Sequence, residues 1–431
     1  ILTLVEEEKV ALDSTISTYL PDYSGPGADR ITIHHLLSHR SGIPNFTSFA
    51  DYQSRTMRLE WEPDSLVAEF AERGLNFEPG RQWSYSNSGY FLLGVIAQEV
   101  TGQHYADALR EKVLAPLGLD GPIGYAFSEK VIEREASGYR QTVWGYRRAE
   151  PIESSVPLSA GMLYATPTGL HRWTRALHTG QVLPDSLYDA MTTAHAENGY
   201  GYGVISRTDT IDGTAVSTVG HGGGINGFAS ALRYVTSGNY TIVALDNTMS
   251  KHAARLASGI QQLLYGGSAP SPQPSVARIL WDVVQAQGVG AATDRYRTLK
   301  QEQPNAYEYG VAELVRLGDA LREKNQPAPA TGIYEFVLSK DSTQAEVLAG
   351  LGLAERALGN RAAAGAPYPG LAGNETHDTA TEYLDGGYGG MITFGLEAGY
   401  AAARATVENP ELASLLANVG DAKPLVIHPA S

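Results

Sequence analysis

Two short stretches of the chain decide its fold, and the first is WSYSN at residues 83–87. Tyr85 and Asn87 form a Tyr-x-Asn that stands directly before an apolar stretch, whose spacing predicts a helix over residues 89–100. Alone the motif says little, because a chain with 24 tyrosines contains Tyr-x-Asn by chance.

The second stretch is GHGGGING at residues 220–227, a Gly-rich run that contains His221. The residues on either side predict strands over 214–219 and 228–234, so we interpret the run as a turn between them. Most Gly-rich turns between strands are ordinary hairpins, so this stretch also needs its context before it indicates a function.

Composition excludes several classes of protein. The chain has 431 residues with 32 Lys and Arg against 47 Asp and Glu, a formal net charge of −15. This acidic balance argues against general affinity for nucleic acid or anionic membranes, and no apolar run is long enough to span a bilayer. The absence of cysteine excludes disulfides, thiolate catalysis and Cys-bound metal.

The first part of the chain, residues 1–265, mixes amphipathic helices with short β-type runs such as 240–245. Strands and helices do not alternate regularly, which disfavours a parallel Rossmann-type sheet and indicates a mixed α/β domain. Residues 266–274 follow as a linker rich in Gly, Ser and Pro, which we expect to be extended.

Residues 275–362 are predicted to form consecutive helices. Gly318, followed by Tyr334 and a helix that ends near Asp341, resembles a degenerate tetratricopeptide unit. A protein or peptide partner for this region and an ordinary helical appendage are equally good interpretations. The predicted helices cover 276–287, 291–303, 307–324, 328–340 and 344–358.

The succession of motifs over residues 1–265 resembles the serine β-lactamase-like family. That family includes class C β-lactamases, D-alanyl-D-alanine carboxypeptidases, D-aminopeptidases and related esterases. The resemblance implies an α/β fold of the α+β type, in which helices pack around an antiparallel sheet. The motifs, in order, are HHLLSHRSGIP at 34–44, FEPG at 77–80, YSN at 85–87, PLGL at 116–119, SAGM at 159–162, GYG at 201–203 and GHGG at 220–223.

The resemblance also assigns roles in acyl transfer, which needs an activated nucleophile and donors for the oxyanion. It implies that Tyr85 is the proton shuttle and that Asn87 binds both the catalytic lysine and the substrate amide. It places His221 at the carboxylate or carbonyl end of the substrate, beside Gly223 and Gly224, and Gly224 would donate a backbone N–H to the oxyanion. To act as a base, Tyr85 needs cationic neighbours that lower its pKa well below about 10.

The sequence departs from the family in one large respect, because no serine is followed three residues later by lysine. In the family layout this Ser-x-x-Lys would lie shortly before Ile1 in the same helix, so we expect an N-terminally truncated domain. Loss of such a serine lowers kcat on the order of 10⁶-fold, so the chain as given is expected to be nearly inactive. We expect a periplasmic or extracellular location.

Histidines and aromatic residues near the motifs have simpler interpretations. We predict no metal site, because His34, His35 and His39 lack acidic residues in a ligand pattern. By resemblance, His39 braces the site. Aromatic side chains could line a pocket, although we predict that Trp83 and Tyr90 belong to the core. Tyr164, Tyr200 and Tyr202 are the other aromatic residues that could line the pocket.

Residues 366–431 resemble a fragment of O-acetylhomoserine sulfhydrylase, a pyridoxal-phosphate enzyme. The similar stretches are 367–371, 386–394 and above all 415–431. The fragment lacks the family's cofactor-binding lysine segment, and Lys423 does not stand at the Schiff-base position. We interpret it as a joined or misassembled gene fragment and predict no cofactor.

The sequence therefore predicts a penicillin-recognising serine hydrolase that cleaves amide or ester bonds through an acyl-enzyme. Its expected substrates are D-amino-acid peptides, small esters or β-lactams. One alternative is a non-catalytic binding protein that keeps the hydrolase fold. A pyridoxal-phosphate enzyme related to O-acetylhomoserine sulfhydrylase is the third interpretation.

Overall fold

The computed structural model describes residues 1–49, 51–53, 55–250, 252–340 and 345–359. The chain divides into two units at about residue 270. Of the described residues, the first contains those within 1–141 and 146–270, and the second contains 142–145 together with those from residue 271 to 359. The predicted strand 391–396, the helix 411–416 and the whole fragment 366–431 lie outside the described residues.

The helices and strands of the first unit follow each other in a mixed order. The helices are α1 (Leu2–Glu6), α2 (Ile16–Tyr19), α3 (Ile33–Leu37), α4 (Pro63–Ala71), α5 (Asn87–Thr101), α6 (Tyr105–Leu109, continued as a π-turn over Arg110–Leu114), α7 (Pro167–His178), α8 (Asp185–Thr192) and α9 (His252–Leu264). The strands are β1 (Ile123–Tyr125), β2 (Tyr139–Thr142), β3 (Gly145–Arg148), β4 (Leu163–Ala165), β5 (Ile205–Ile211), β6 (Thr214–Ile225), β7 (Phe228–Val235) and β8 (Tyr240–Asp246).

Helix α5 is the centre of the main core of this unit. Seven consecutive residues, 91–97, are buried, so every face of the helix is packed, as expected of a helix with apolar residues all round. Ser86 caps its start by accepting the Gly89 N–H at 3.3 Å. Gly102, with φ of 67°, ends it in the left-handed conformation. The predicted helix 89–100 is confirmed and extends slightly at both ends.

Strands β5 to β8 form a four-stranded antiparallel sheet in sequential order. Alternate residues of each strand face opposite sides. On β7, Arg233 bonds to Gln261 and Ser258 of α9, whereas the Tyr234 ring stacks 4.0 Å from His178 of α7. Helices α7 and α9 therefore cover opposite faces of the sheet.

The prediction that residues 220–227 form a turn was wrong for most of this stretch. Strand β6 does not end at residue 219 but continues to Ile225, and the turn is confined to Asn226 and Gly227. Glycine has a poor strand propensity, which hid this continuation from a propensity argument. Pairing with β7 supplies the backbone bonds that keep these residues extended.

The second unit is helical and has its own core. Its helices are α10 (Val276–Glu302, with a kink at Gly288), α11 (Val311–Glu323), α12 (Pro327–Leu338) and α13 (Ala345–Ala357). Tyr334 of α12 is fully buried, and a Cβ on Gly318 of α11 would lie only 2.5 Å from its ring. The glycine is therefore needed for close packing of the two helices.

The predicted helices of this unit are present with shifted ends, and 276–287 and 291–303 are the two arms of the kinked α10. No tetratricopeptide module is established by this packing. Across the described ranges, no helix combines the length and apolar character that a bilayer crossing requires.

His178 offers a test of the packing between α7 and the sheet. Burial, and then the nearby Arg175, lower its pKa to about 4, whereas an unfolded histidine titrates near 6.5. Between these pH values the unfolded chain binds a proton that the folded chain does not, so stability falls as the pH falls. Replacing His178 by Phe should reduce this slope by up to about 1.4 kcal/mol per pH unit.

The measurement is the free energy of unfolding in urea at several pH values between 4 and 6.5. Tyr188→Phe is the control, because it removes the 2.6 Å hydrogen bond between the Tyr188 hydroxyl and His178 Nδ1 but keeps the histidine. It should retain the wild-type slope. Equal slopes in wild type and His178→Phe would show that His178 is not protected as described.

Candidate active site

Tyr85 and Asn87 are positioned by the start of helix α5. Asn87 is its first residue and Tyr85 immediately precedes the capping Ser86. The Tyr85 side chain remains 40% exposed, whereas Ser86 is buried. The buried helix therefore presents the two motif side chains at a fixed place on the surface of the first unit.

The Asn87 side chain has a defined orientation. Its backbone N–H donates to Asn45 Oδ1 at 3.1 Å, so Asn45 presents its oxygen, and the Asn87 Nδ2 must donate to that same oxygen at 3.2 Å. Nδ2 also donates to Thr47 Oγ1 at 3.1 Å. The amide nitrogen is thus directed at the 45–47 loop, which leaves the amide oxygen as the acceptor that Asn87 can offer a ligand.

The 45–47 loop is in turn attached to α5 by Ser88, which is fully buried. The Ser88 hydroxyl donates to the Pro44 carbonyl and accepts the Phe46 N–H at 2.9 Å. One side chain therefore satisfies two backbone groups and fixes the loop that orients Asn87.

The Gly-rich end of β6 forms an open edge. Strand β5 begins opposite Gly220, so among the residues that the structure describes, 221–225 pair only with β7. The Thr236 N–H donates to the Ser217 carbonyl, which shows that odd-numbered residues of β6 bond to β7. The N–H groups of Gly222 and Gly224 consequently point away from β7 at this open edge.

Gly223 and Gly224 therefore direct their N–H groups to opposite sides of β6. Gly224 presents its N–H at the open edge, and a Cβ built there would meet nothing within 4 Å. This geometry suits the predicted role of Gly224 as a backbone donor. The Gly223 amide bonds toward β7, and a Cβ at this position would meet Ser230 Oγ at 2.4 Å. Gly223 thus directs its N–H to β7 and offers none at the open edge.

The structure brings His221 and Tyr85 together, with ring centroids 6.2 Å apart. Between the two motifs lie the buried rings of His39 and Tyr200, which are 1% and 2% exposed. His39 Nε2 lies 3.0 Å from the Tyr200 hydroxyl, and that hydroxyl lies 3.2 Å from His221 Nε2. The Tyr-x-Asn and the His-x-Gly are therefore parts of one site.

The surroundings of Tyr85 in this cluster do not favour the ionised phenolate that would act as a base. Burial raises the pKa of Tyr85, and the rings packed against it are those of His39, Tyr200 and His221. Burial lowers the pKa of His39 to about 3 and also lowers that of His221, so both are neutral at pH 7. The cationic neighbours expected to lower the Tyr85 pKa are not among these rings.

A cavity of about 380 Å³ begins beside this cluster at Gly220 and His221 and extends to Ile1. Its walls are largely apolar and come from α1, α7 and the strands. The lining includes Leu2, Trp173, Leu177, Tyr202 and Leu232.

His34 and His35 lie outside the cluster. His34 Nδ1 lies 2.7 Å from the Tyr202 hydroxyl, and burial is the main reason that its pKa falls to about 4. His35 Nδ1 accepts the Thr32 N–H at the start of α3. Over the part of the chain that the structure describes, no group of three or more His, Asp or Glu side chains could bind a metal ion.

Two aromatic predictions have different outcomes. Tyr90 is partly buried against the core and donates its hydroxyl proton to the Leu37 carbonyl at 2.8 Å. Trp83, predicted to lie in the core, is 36% exposed and covers His39 and Tyr200 at the surface, so that prediction was wrong. Its place beside a surface motif, before the helix begins, explains the exposure.

Sequence reasoning missed Asn45 and Thr47, which orient Asn87. Their contacts join residues about 40 positions apart, and no local pattern marks them. Their position directly after the 34–44 motif was the one available signal.

Comparison with known proteins now decides the family. The family model described as Beta-lactamase matches residues 1–265. The chain belongs to the beta-lactamase family. Within this family it is 26% identical over 295 residues to penicillin-binding protein 4* of Bacillus subtilis (strain 168), covering 63% of each chain. It is 27% identical over 254 residues to the D-aminopeptidase of Gluconobacter oxydans (strain 621H), covering 57% of this chain and 46% of that one.

Solved structures of the beta-lactamase family share the fold. The D-stereospecific amidohydrolase from Streptomyces sp. superimposes with a TM-score of 0.51 at 27% identity, over 57% of this chain and 78% of that one. This likeness confirms the predicted fold of antiparallel sheet and helices. The chain spans about half to two thirds of the length of the curated relatives it matches.

The C-terminal resemblance is confirmed at the level of a family. Residues 354–431 match the model of Cys/Met metabolism PLP-dependent enzymes. That cofactor is bound through a lysine Schiff base, and the only lysine in the matched range is Lys423. Because Lys423 does not stand at the Schiff-base position of the resemblance, these residues do not fit the cofactor.

Replacing Ser88 by Ala tests how the 45–47 loop is fixed. The change leaves the buried Pro44 carbonyl and Phe46 N–H without their partner, so we expect a loss of about 1–3 kcal/mol in the free energy of unfolding. Ser65→Ala, at an exposed position of α4, should change it by less than about 0.5 kcal/mol. Urea unfolding followed by tryptophan fluorescence measures both, and equal losses would contradict the assigned role.

Proposed function

We propose that the first unit carries the Tyr-x-Asn and His-x-Gly sides of an acyl-transfer site that hydrolyses amide or ester bonds. The observation that supports this most is the convergence of Tyr85 and His221, 6.2 Å apart, beside the open edge of β6. A substrate carbonyl seated at this edge meets the Gly224 N–H, which would stabilise the oxyanion of a tetrahedral intermediate.

The proposed reaction has two steps. A serine oxygen attacks the carbonyl carbon and its proton passes through Tyr85 to the leaving nitrogen or oxygen, which departs as amine or alcohol. Water then attacks the acyl-enzyme, and a proton returns to the serine as the acid is released. Tyr85 can accept a proton in this way only when a cation lies beside it, because burial raises its pKa.

The serine and its lysine partner are not part of the printed sequence, which contains no Ser-x-x-Lys. We therefore propose that the 431-residue chain forms no acyl-enzyme by itself. A segment that carries Ser-x-x-Lys would supply both the nucleophile and the ammonium that Tyr85 requires.

The substrate end of the site favours a neutral group. His221 stands where many β-lactamases have lysine, and its imidazole is uncharged at pH 7 because burial lowers its pKa. A neutral ring attracts a carboxylate less than an ammonium does. We therefore propose D-amino-acid amides and small esters as substrates ahead of carboxylate-terminated peptides and β-lactams. The names D-aminopeptidase and D-stereospecific amidohydrolase of two relatives agree with this choice.

A non-catalytic binding protein is the second candidate. The raised Tyr85 pKa and the lack of Ser-x-x-Lys in the sequence both favour it. In this case the helical unit would serve as a tetratricopeptide-like peptide-binding module.

The deciding experiment compares two proteins: the 431-residue chain and the same chain preceded by whatever residues its gene encodes before Ile1. The extended protein should hydrolyse D-phenylalanine amide and p-nitrophenyl acetate and react covalently with a fluorescent penicillin, whereas the 431-residue chain should do neither. Turnover and labelling are followed by absorbance and by gel fluorescence. A folded extended protein without either activity, or a gene with no Ser-x-x-Lys codons upstream, would favour the binding protein instead.

Tyr85→Phe in the active extended protein should lower kcat/KM by on the order of 10²- to 10⁴-fold, because it removes the proton shuttle. Tyr146→Phe is the matched control, since Tyr146 is 61% exposed and lies on β3, outside the two motifs. Steady-state kinetics with D-phenylalanine amide measure both variants. Similar kcat/KM values for both would exclude Tyr85 from proton transfer.

A further inference from the structure

One line of hydrogen bonds joins the start of α5 to the end of β6. The Ser86 N–H donates to His39 Nδ1 at 3.1 Å, and the bonds continue through His39 Nε2, the Tyr200 hydroxyl and His221 Nε2. At the far end, His221 Nδ1 bonds to the Gly222 carbonyl. The proposed function assigns roles to Tyr85, beside Ser86, and to His221, but none to His39 and Tyr200 in the middle of this line.

The two ends of the line fix the position of every proton in it. A backbone N–H can only donate, so His39 Nδ1 carries no proton, and the neutral ring has its proton on Nε2. This Nε2–H donates to the Tyr200 oxygen, which leaves the Tyr200 proton to be donated to His221 Nε2. A carbonyl can only accept, so His221 Nδ1 carries the proton that is donated to Gly222.

The neutral state of both rings agrees with their surroundings. His39 cannot take a second proton without losing the bond from Ser86, and it is almost completely buried. The side chains that surround it are the rings of Trp83, Tyr85, Tyr90 and Tyr200. Tyr90 is also within hydrogen-bonding reach of Tyr200, but its own proton goes to the Leu37 carbonyl.

We propose that Tyr200, oriented by His39, is a positioning residue that acts together with the Gly222 carbonyl to hold His221 as its Nδ1–H tautomer and sets the orientation of that ring at the open edge of β6. The Nδ1–H directed at Gly222 also ties the imidazole to the backbone beside Gly224. The importance of this arrangement for turnover rests on the proposed function, whereas the tautomer itself does not.

The test is long-range ¹H–¹⁵N NMR of the 431-residue chain labelled with ¹⁵N-histidine, at pH 7.5. The His221 signals are assigned by their loss in His221→Gln. In wild type, His221 should show a protonated Nδ1 and an unprotonated Nε2. Tyr200→Phe removes the donor to Nε2 and leaves only the Gly222 carbonyl to hold the Nδ1–H form, so the population of the Nε2–H tautomer should rise measurably.

Tyr202→Phe is the matched control, because Tyr202 stands two residues away in the same turn and its hydroxyl bonds to His34. It should alter the signals of His34 and leave those of His221 unchanged. Wild-type His221 with its proton on Nε2 would overturn the proposal, and so would an unchanged His221 tautomer in folded Tyr200→Phe. If Tyr200→Phe does not fold, the wild-type tautomer still tests the proposal, because a proton on Nε2 would overturn it.

In the extended protein, Tyr200→Phe should lower kcat about tenfold to a hundredfold with KM changed less, as for other groups that orient a site residue. A changed tautomer with unchanged kcat would overturn the positioning role. A wild-type extended protein that shows the Nδ1–H tautomer but no turnover would refute the proposed function and leave the tautomer assignment in place. The two failures are therefore distinguishable.

Discussion

The burial of helix α5 on all its faces is the constraint on which the site depends. A helix without a polar face must be surrounded, and its neighbours then fix both its axis and the point at which it starts. Because Ser86 caps that start and also donates its N–H to His39, the helix terminus becomes one end of the polar cluster. The position of Tyr85 follows from core packing far more than from any contact of its own hydroxyl.

The sheet imposes the second constraint, because His221 reaches the cluster only through the register of β6. A shift of one residue would turn His221 to the face covered by α9 and bring Gly220 or Gly222 to the face it now occupies. The pairing of His221 with Leu232 on β7 prevents this shift along the Gly-rich end. The site thus joins a helix terminus to a strand end, and neither element alone would place the two motifs within reach of each other.

How much of this could be predicted differs from element to element. Helix α5 was predictable, because its long apolar run ends at Gly102 and begins next to a capping Ser86. The end of β6 was not, since glycines carry no propensity for a strand and the β7 partner alone holds them extended. The same holds for Asn45: its bond to Asn87 spans 42 residues, and a single sequence does not show which polar side chains meet after folding.

The motifs predicted that Tyr85 and His221 share a site, but not how they are connected. That Tyr200 lies between them follows from the turn before β5, whose conformation depends on tertiary contacts. The expectation of cationic neighbours for Tyr85 came from the low pKa that a tyrosine base needs, and the rings packed against Tyr85 do not provide them.

The open edge formed by Gly222, Gly223 and Gly224 has a consequence for molecular evolution. These three glycines offer only main-chain atoms at the edge. Main-chain groups can hydrogen-bond to the backbone of a peptide-like ligand, but they provide no side-chain atoms that distinguish one ligand side chain from another. In the proposed reaction, selectivity on this side of the site would then arise from neighbouring elements, which could change without altering the residues of the two motifs. Such a division would let one ancestral scaffold diversify its preferences while its chemistry stayed the same.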